Sequence, residues 1–348
     1  MAPNRPSRVA AFRGEMNATA PVALTQGDPS GIGPELALMA YVLRDSHDLP
    51  PFFLLGHPAF IARVAAALAL EIQIESTTAA QARDVFSRAL PVVDTGRHVV
   101  AGAPGRPDCR DAQSTIRSIE QAVECVAKGE ARAVVTNPIA KSILYDAGFK
   151  HPGHTEFLAA LAHRHYGGDY RAVMMLWSEE LAVVPITIHI PLVDAPKRLT
   201  RELIVETGEI VAHDLRARFH ISTPRLAFAG LNPHAGEDGA LGREEIDIIA
   251  PAIAELRARG VDASGPFPAD TMFHDSARAK YDVALCPTHD QALIPIKTLA
   301  FERGVNVTLG LPFVRTSPDH GTAFDIAGKG IADPTSLIEA IKLAGRIS

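Results

Sequence analysis

The segment Cys286–Pro334 reads CPTHDQALIPIKTLAFERGVNVTLGLPFVRTSPDHGTAFDIAGKGIADP. Short apolar runs alternate in it with polar residues, and a glycine-rich turn runs from His320 to Gly330. Its functional groups include the imidazole of His289, the ammonium of Lys297, the carboxamide of Asn306 and the guanidinium of Arg315. Loops and strand ends with such mixed chemistry are common places for ligand sites. The segment therefore predicts a functional site at the ends of buried strands.

The rest of the chain predicts the sheet to which these strands belong. From Pro21 onward, short apolar runs alternate with amphipathic stretches, a pattern typical of an α/β fold with a parallel sheet and crossover helices. At 348 residues the chain exceeds the size at which a single core stops growing, so a two-lobed arrangement is expected.

Composition excludes several classes of partner. The formal net charge is −6 and the pI is about 6.2, which argues against nucleic acid or an anionic membrane as the main partner. An anionic substrate must therefore meet local positive charge.

The three cysteines are widely spaced and form no CxxC pattern, so a reducing cytoplasm fits best. The first 20 residues lack the apolar core of a secretory signal and are predicted to be a disordered basic tail.

Two loops have the composition of ligand-binding turns. GDPSGIGPE (Gly27–Glu35) follows a predicted strand, and its glycines permit backbone to approach a ligand, although it is not a GxGxxG fingerprint. In HPGHTEF (His151–Phe157), Thr155 is expected to cap a helix, which leaves backbone N–H groups facing an anion. A role for His154 as an ordinary neighbour of a helix cap stays open.

Three histidines share one position relative to the predicted strands. His189, His234 and His289 each lie at or just past the end of an apolar run, and the ends of parallel strands meet at one edge of a sheet. Three neutral imidazoles at such an edge are able to bind a zinc-like divalent ion and leave positions for substrate oxygens. A purely structural role for each histidine remains the alternative. Asp270, in a proline-rich turn, is expected to be an N-cap or a partner of one histidine.

A series of motifs resembles one family. GDPSGIGPE, NPIAK, PGHTEF, GLNPHAGE, PADTMF, HDQ and GVNVTLGLPFVRTSPDHGTAFDIAG occur in the order typical of the PdxA family of 4-hydroxythreonine-4-phosphate dehydrogenases. They extend from about Pro21 to the end of the chain. One departure is the pair Pro287–Thr288 before His289, where the family pattern has Met-Tyr.

This resemblance implies the site residues. It implies one divalent ion per subunit (Zn²⁺, Mg²⁺ or Co²⁺) on His189, His234 and His289, with ligands shared across a homodimer interface. The substrate contacts that it implies are His154, Thr155, Lys297, Asn306 and Arg315.

A second resemblance concerns the cofactor. DHGTAFDIAGKGIADP is similar to the adenosine-binding loop of isopropylmalate and isocitrate dehydrogenases, and GDPSGIGPE is similar to their N-terminal loop. It implies NAD contacts from His320, Gly321, Thr322 and Asp325. A carboxylate at Asp325 repels a 2′-phosphate, so NAD is expected rather than NADP.

The implied reaction is oxidation of 4-phosphooxy-L-threonine at C3 by NAD, followed by decarboxylation to 3-amino-2-oxopropyl phosphate in pyridoxal 5′-phosphate biosynthesis. Lys297 is the first choice for the group that takes the hydroxyl proton, with His154 also placed to act on the substrate. The alternatives are a dehydrogenase for 4-phospho-D-threonate or 4-phospho-D-erythronate, a metal-dependent hydrolase, an acyltransferase and a non-catalytic binding protein.

The same comparison implies the division of the chain. Residues 21–138 and 297–348 are expected to form a first α/β lobe on the NAD side. Residues 139–296 are expected to form a central lobe with the metal ligands and the dimer interface. The active site is expected in the cleft between the two lobes, in a two-lobed α/β/α architecture.

Overall fold

A computed structural model of the chain describes residues 19–151 and 153–348. The predicted tail over residues 1–20 lies outside the described residues except for Thr19 and Ala20. No helix in the described part is long and apolar enough to span a membrane.

The mixed α/β fold is confirmed. The strands are β1 (Val22–Thr25), β2 (Phe52–Gly56), β3 (Ile74–Ser76), β4 (Leu90–Asp94), β5 (Ala133–Val135), β6 (Val173–Trp177), β7 (Ala182–Pro185), β8 (Arg225–Ala229), β9 (Asp262–Phe267), β10 (Val283–Cys286), β11 (Val305–Leu309) and β12 (Val314–Pro318). The helices are α1 (Gly33–Val42), α2 (Pro58–Ala67), α3 (Ala82–Phe86), α4 (Ala112–Ala127), α5 (Lys141–Asp146), α6 (His154–Tyr166), α7 (Ala195–Arg198), α8 (Arg201–Ala217), α9 (Ala250–Ala258), α10 (Asp275–Arg278), α11 (His289–Ala300) and α12 (Thr335–Arg346). A π-helical turn, Glu245–Ile249, precedes α9.

All these strands form one sheet, in the order β3-β4-β2-β1-β5-β12-β11-β6-β7-β10-β8-β9. The strands from β3 to β12 in this order pair in parallel, as do the strands from β7 to β9. Between them, β11 pairs antiparallel with β12 and β6, and β6 pairs antiparallel with β7. The sheet therefore has two parallel halves of opposite direction with an antiparallel centre. The division into two lobes stays a prediction, and its boundary at residue 297 falls within α11.

The strand sequences explain why helices cover both faces of this sheet. Strands such as FFLLG and VALT are apolar at successive positions, so both of their faces need apolar cover. Val22 and Leu24 lie in one buried cluster with residues of α1 and α12, whereas Ala23 points into another with residues of α4 and α6. A third cluster packs α11 against β7, β8 and β10.

Candidate functional site

Arg315 is the centre of a buried polar cluster at β12. Its side chain is buried, and its guanidinium donates to the Thr136 Oγ1 atom from Nε at 3.1 Å and from Nη2 at 2.6 Å. Its Nη1 atom donates to Thr308 Oγ1 at 3.0 Å and to Asn306 Oδ1 at 3.3 Å. All these acceptors are neutral, and burial lowers the pKa of Arg315 to about 10. The guanidinium therefore remains charged at neutral pH with no carboxylate beside it in the described structure.

His154 is the first residue of α6, and its imidazole lies close enough to Arg315 to feel that charge. Its Nε2 atom is buried and has no hydrogen-bond partner among the described residues. Burial, followed by the charges of Arg315 and Lys141, holds the pKa of His154 well below its ordinary value of 6.5. The imidazole is therefore neutral at physiological pH. The expectation that Thr155 caps this helix is wrong, because Gly153 is the N-cap and Thr155 lies in the first turn without a capping hydrogen bond.

Lys297 lies in the last turn of α11, where its Nζ atom is 2.6 Å from Asp319 Oδ2. Asp319 directly follows β12, the strand that carries Arg315. Lys297 therefore has a counter-ion in the free protein, whereas Arg315 has only neutral partners.

The segments predicted to bind the cofactor lie against each other. Ile32 N donates to Thr322 O at 3.0 Å, and Gly328 N donates to the Glu35 carboxylate at 2.6 Å. The Nδ1 atom of His320 contacts Gly321 O at 3.0 Å, while its Nε2 atom is buried without a partner. Asp325 is exposed. GDPSGIGPE and the turn after β12 therefore form one continuous surface.

A third segment, residues 99–106, joins this surface. Gly105 N donates to Ser30 O at 2.8 Å, and Ser30 Oγ donates to Arg106 O at 3.0 Å. Gly105 has a φ of +72°, and a Cβ atom there would lie 2.7 Å from Phe324 O. The buried Asp111 carboxylate fixes this segment by accepting from three consecutive amides, those of residues 100–102.

The structure brings two of the three predicted metal ligands together. β10 pairs in parallel with β7 and β8, so the three histidines follow adjacent strands. The rings of His189 and His289 are 5.8 Å apart, and both residues line a cavity of about 910 Å³. Within residues 19–151 and 153–348, no three His, Cys, Asp or Glu side chains are close enough to hold a metal ion. The assignment of the metal to His189, His234 and His289 stays a prediction.

The surroundings of these histidines fit imidazole ligands. His289 Nδ1 lies 2.8 Å from Asp290 Oδ1, which leaves Nε2 for a ligand. His189 and His234 both have a φ of +52°, an uncommon conformation outside glycine that is found at functional sites. Asp270 lines the same cavity but is not an N-cap, because it lies inside the 3-10 turn Ala269–Thr271, which follows Pro268.

The pair that departs from the family pattern has a structural role. Thr288 is the N-cap of α11 and forms a capping box with Gln291. Pro287 O accepts a hydrogen bond of 2.6 Å from Thr187 Oγ1, which helps to hold the segment before His189.

Comparison with known proteins identifies the family. The family model described as "Pyridoxal phosphate biosynthetic protein PdxA" matches residues 48–344. The chain belongs to the PdxA family. It is 59% identical to the 4-hydroxythreonine-4-phosphate dehydrogenase of Methylorubrum populi over 94% of each protein, and 58% identical to that of Bradyrhizobium diazoefficiens over 95% of this chain and 98% of the relative. The crystal structure of a 4-hydroxythreonine-4-phosphate dehydrogenase from Burkholderia phymatum superposes with a TM-score of 0.82 at 34% identity, covering 94% of this chain and 98% of that one.

Sequence reasoning missed several residues around this PdxA-family site. They are Thr136 and Thr308, which accept from Arg315, Asp319, which pairs with Lys297, and Asp111 and Lys141. Lys141 ends the motif NPIAK, so its position in a quoted motif was a signal that the sequence did contain. The two threonines had no such signal, because a threonine in a buried strand is ordinary.

Proposed function

We propose that this chain oxidises 4-phosphooxy-L-threonine at C3 with NAD and releases 3-amino-2-oxopropyl phosphate after decarboxylation. The names of its relatives support a dehydrogenase of this kind. The observation that carries the proposal is the uncompensated charge of Arg315 beside the unpartnered His154 Nε2 atom. Buried charges normally have a counter-charge, and a substrate with a phosphate and a carboxylate supplies one.

The residues of the chain divide the work as follows. Arg315 and Asn306 bind and orient the anionic substrate, while the neutral His154 and the Thr155 hydroxyl hydrogen-bond to it at the start of α6. Lys297 takes the hydroxyl proton as a neutral amine, after its ammonium group has passed one proton to solvent water and separated from Asp319. When bound, a divalent ion at His189, His234 and His289 supplies stabilisation of the alkoxide, and NAD at His320, Gly321, Thr322 and Asp325 supplies the hydride acceptor.

We assign the large apolar cavity to a homodimer interface. Leu192 is 75% exposed and Ile294 is 64% exposed at its rim, beside His189 and His289. A second copy that covers these side chains also brings its own histidines to this cavity, and a shared site would explain why the three histidines do not converge in one chain. The three unpaired cysteines support a cytoplasmic location.

The activity is tested by measuring NADH formation on chelator-treated protein re-supplied with Zn²⁺, Mg²⁺ or Co²⁺. Metal-dependent NADH formation with 4-phosphooxy-L-threonine supports the proposal. Activity only with 4-phospho-D-threonate or 4-phospho-D-erythronate assigns the chain to that chemistry instead. Release of inorganic phosphate without NADH formation supports a hydrolase.

The roles of single residues need separate tests. Lys297→Met is expected to lower turnover with little loss of bound metal, and loss of metal with unchanged turnover per bound metal contradicts its role.

To test whether the metal ligands of one site come from both subunits, the inactive variants His234→Ala and His289→Ala are mixed after dissociation. If one site draws these two residues from different subunits, mixed dimers regain activity; if both residues come from the same subunit, mixing restores none.

A further inference from the structure

Lys141 is the first residue of α5, and its side chain lies against the N-terminus of α6, the helix that carries His154. Lys141 follows β5 closely in the sequence. Thr136, which comes directly after β5 and accepts a hydrogen bond from Arg315, lies five positions before it. The Lys141 Nζ atom is 3.4 Å, and its Cε atom 3.6 Å, from the position that a Cβ atom would take on Gly153. Since Gly153 is the N-cap of α6, the ammonium group lies against the first turn of that helix.

This turn has unused hydrogen-bonding capacity. Helix α6 has 13 residues and no side chain caps its N-terminus. The N–H groups in its first turn therefore have no partner within the helix, and they carry the positive end of the helix dipole. The buried Nε2 atom of His154 adds a polar group without a partner among the described residues.

Lys141 contacts this turn, and the charge of Arg315 acts on the imidazole of His154 in it. The pKa of His154 is lowered by burial first, then by Arg315, then by Lys141, as expected when both positive groups lie near the imidazole. Glu156 is a carboxylate in the same turn, with Oε2 at 2.8 Å from the Gly153 Cβ position. Its side chain is exposed, and no carboxylate of the described residues lies within ion-pair distance of Lys141. Lys297, by contrast, already pairs with Asp319.

We propose that Lys141 binds the phosphoryl group of the substrate, together with the first-turn amides of α6 and Arg315. A phosphate monoester carries nearly two negative charges and three terminal oxygens, so it matches two cations and a row of N–H groups better than a carboxylate does. This assignment rests on the proposed function, because it takes the substrate to be a phosphorylated alcohol. It gives Lys141 a binding role and leaves proton transfer to Lys297.

Kinetics with a matched pair of substrates test this role. Lys141→Met is expected to raise KM for 4-phosphooxy-L-threonine about 30-fold, the value of one charge-assisted hydrogen bond, with kcat changed by less than about threefold. KM for unphosphorylated 4-hydroxy-L-threonine is expected to stay unchanged. Lys141→Arg is expected to recover part of the affinity, and Lys150→Met, at an exposed lysine nearby, to behave as the unaltered protein. An equal loss for both substrates, or a loss confined to kcat, overturns the proposal.

Binding of inorganic phosphate, measured by calorimetry, separates this proposal from the proposed function. The unaltered protein and Lys150→Met are expected to bind phosphate, and Lys141→Met to bind it at least about tenfold more weakly. This result, without turnover of 4-phosphooxy-L-threonine, defeats the dehydrogenase assignment and supports the anion site. Equal binding by all three proteins, or no binding by any, defeats the anion site even if NADH is formed.

Discussion

Two buried arginines in this fold differ in the groups that surround their charge. Arg218 is 8% exposed, donates to the carbonyl groups of Leu311 and Phe313, and lies 3.7 Å from the Asp214 carboxylate. Arg315 is 5% exposed and donates to two hydroxyl groups and one amide oxygen. Burial lowers the pKa of both, but only at Arg218 does a carboxylate oppose the shift.

The difference separates a structural charge from a charge that awaits a ligand. The ion pair of Arg218 is complete within the chain, where the guanidinium and Asp214 compensate each other. Arg315 retains its desolvation penalty in the free protein, and that penalty is offset only when an anion enters. Stability and ligand binding should therefore respond in opposite ways when the two arginines are changed.

The largest effect is expected at Arg315. Arg315→Met should lower kcat/KM for the phosphorylated substrate about 1000-fold, because two charge-assisted contacts of about 2 kcal/mol each are lost. The free energy of unfolding should change by less than about 1 kcal/mol, since the substitution removes a buried charge without a counter-ion. Steady-state kinetics and urea unfolding check both. A stability loss of several kcal/mol with normal kinetics would remove the distinction between the two arginines.

The converse is expected at Arg218. Arg218→Met should lower the free energy of unfolding by about 3–5 kcal/mol, because it leaves the buried Asp214 without its cation. KM of the folded enzyme should not change. Replacing both charges, with Asp214→Leu added, should recover part of the stability. If the single variant is as stable as the unaltered protein, the pair does not have the structural role assigned to it.

The sequence predicted the strands more completely than the contacts between them. Apolar runs such as FFLLG indicate buried strands by themselves, so β1, β2, β4 and β6 could be predicted. The strand β9 was missed because Gly265 and Pro266 indicate a turn, and a proline is tolerated there because β9 lies at the edge of the sheet.

The sequence predicted which residues belong to the candidate site, but only part of how these residues are arranged in space. Arg315 and Thr136 are 179 positions apart in sequence, and no periodicity relates them. Whether a buried arginine has a carboxylate or a hydroxyl beside it depends on strand order, here the insertion of β12 between β5 and β11. The parallel ends that carry the histidines were predictable, because they depend only on strand direction.

The neutral acceptors around Arg315 offer a smaller test. Thr136→Val should lower the free energy of unfolding by about 2 kcal/mol, because the lost hydrogen bonds involve a charged donor. Thr316→Val is the matched control on β12, since its hydroxyl donates to Ala340 O at 2.8 Å, and it should lose about 1 kcal/mol. Only Thr136→Val should weaken substrate binding. Equal losses of stability and unchanged kinetics in both variants would mean that Thr136 does not help to solvate the charge.

The smallest effect concerns the pH dependence that His154 contributes. Its pKa is lower in the folded protein than its ordinary value of 6.5, mainly through burial and then through Arg315. Below pH 6.5 the unfolded chain therefore binds a proton at this residue that the folded protein does not bind, so stability should fall as the pH falls. Between pH 6.5 and 5.5 the contribution is about 1 kcal/mol. Urea midpoints at both pH values should fall more in the unaltered protein than in His154→Gln.

The same measurement in Arg315→Met relates this effect to the two arginines. Removing the nearby positive charge should raise the pKa of His154 part of the way, because burial, the larger cause, remains. The loss of stability on acidification should then begin at the same pH and level off at a higher pH than in the unaltered protein. Arg218→Met should leave the pH dependence attributed to His154 unchanged, because Arg218 is not among the charges that shift this imidazole. An equal response in both variants would mean that His154 does not sense the uncompensated charge of Arg315.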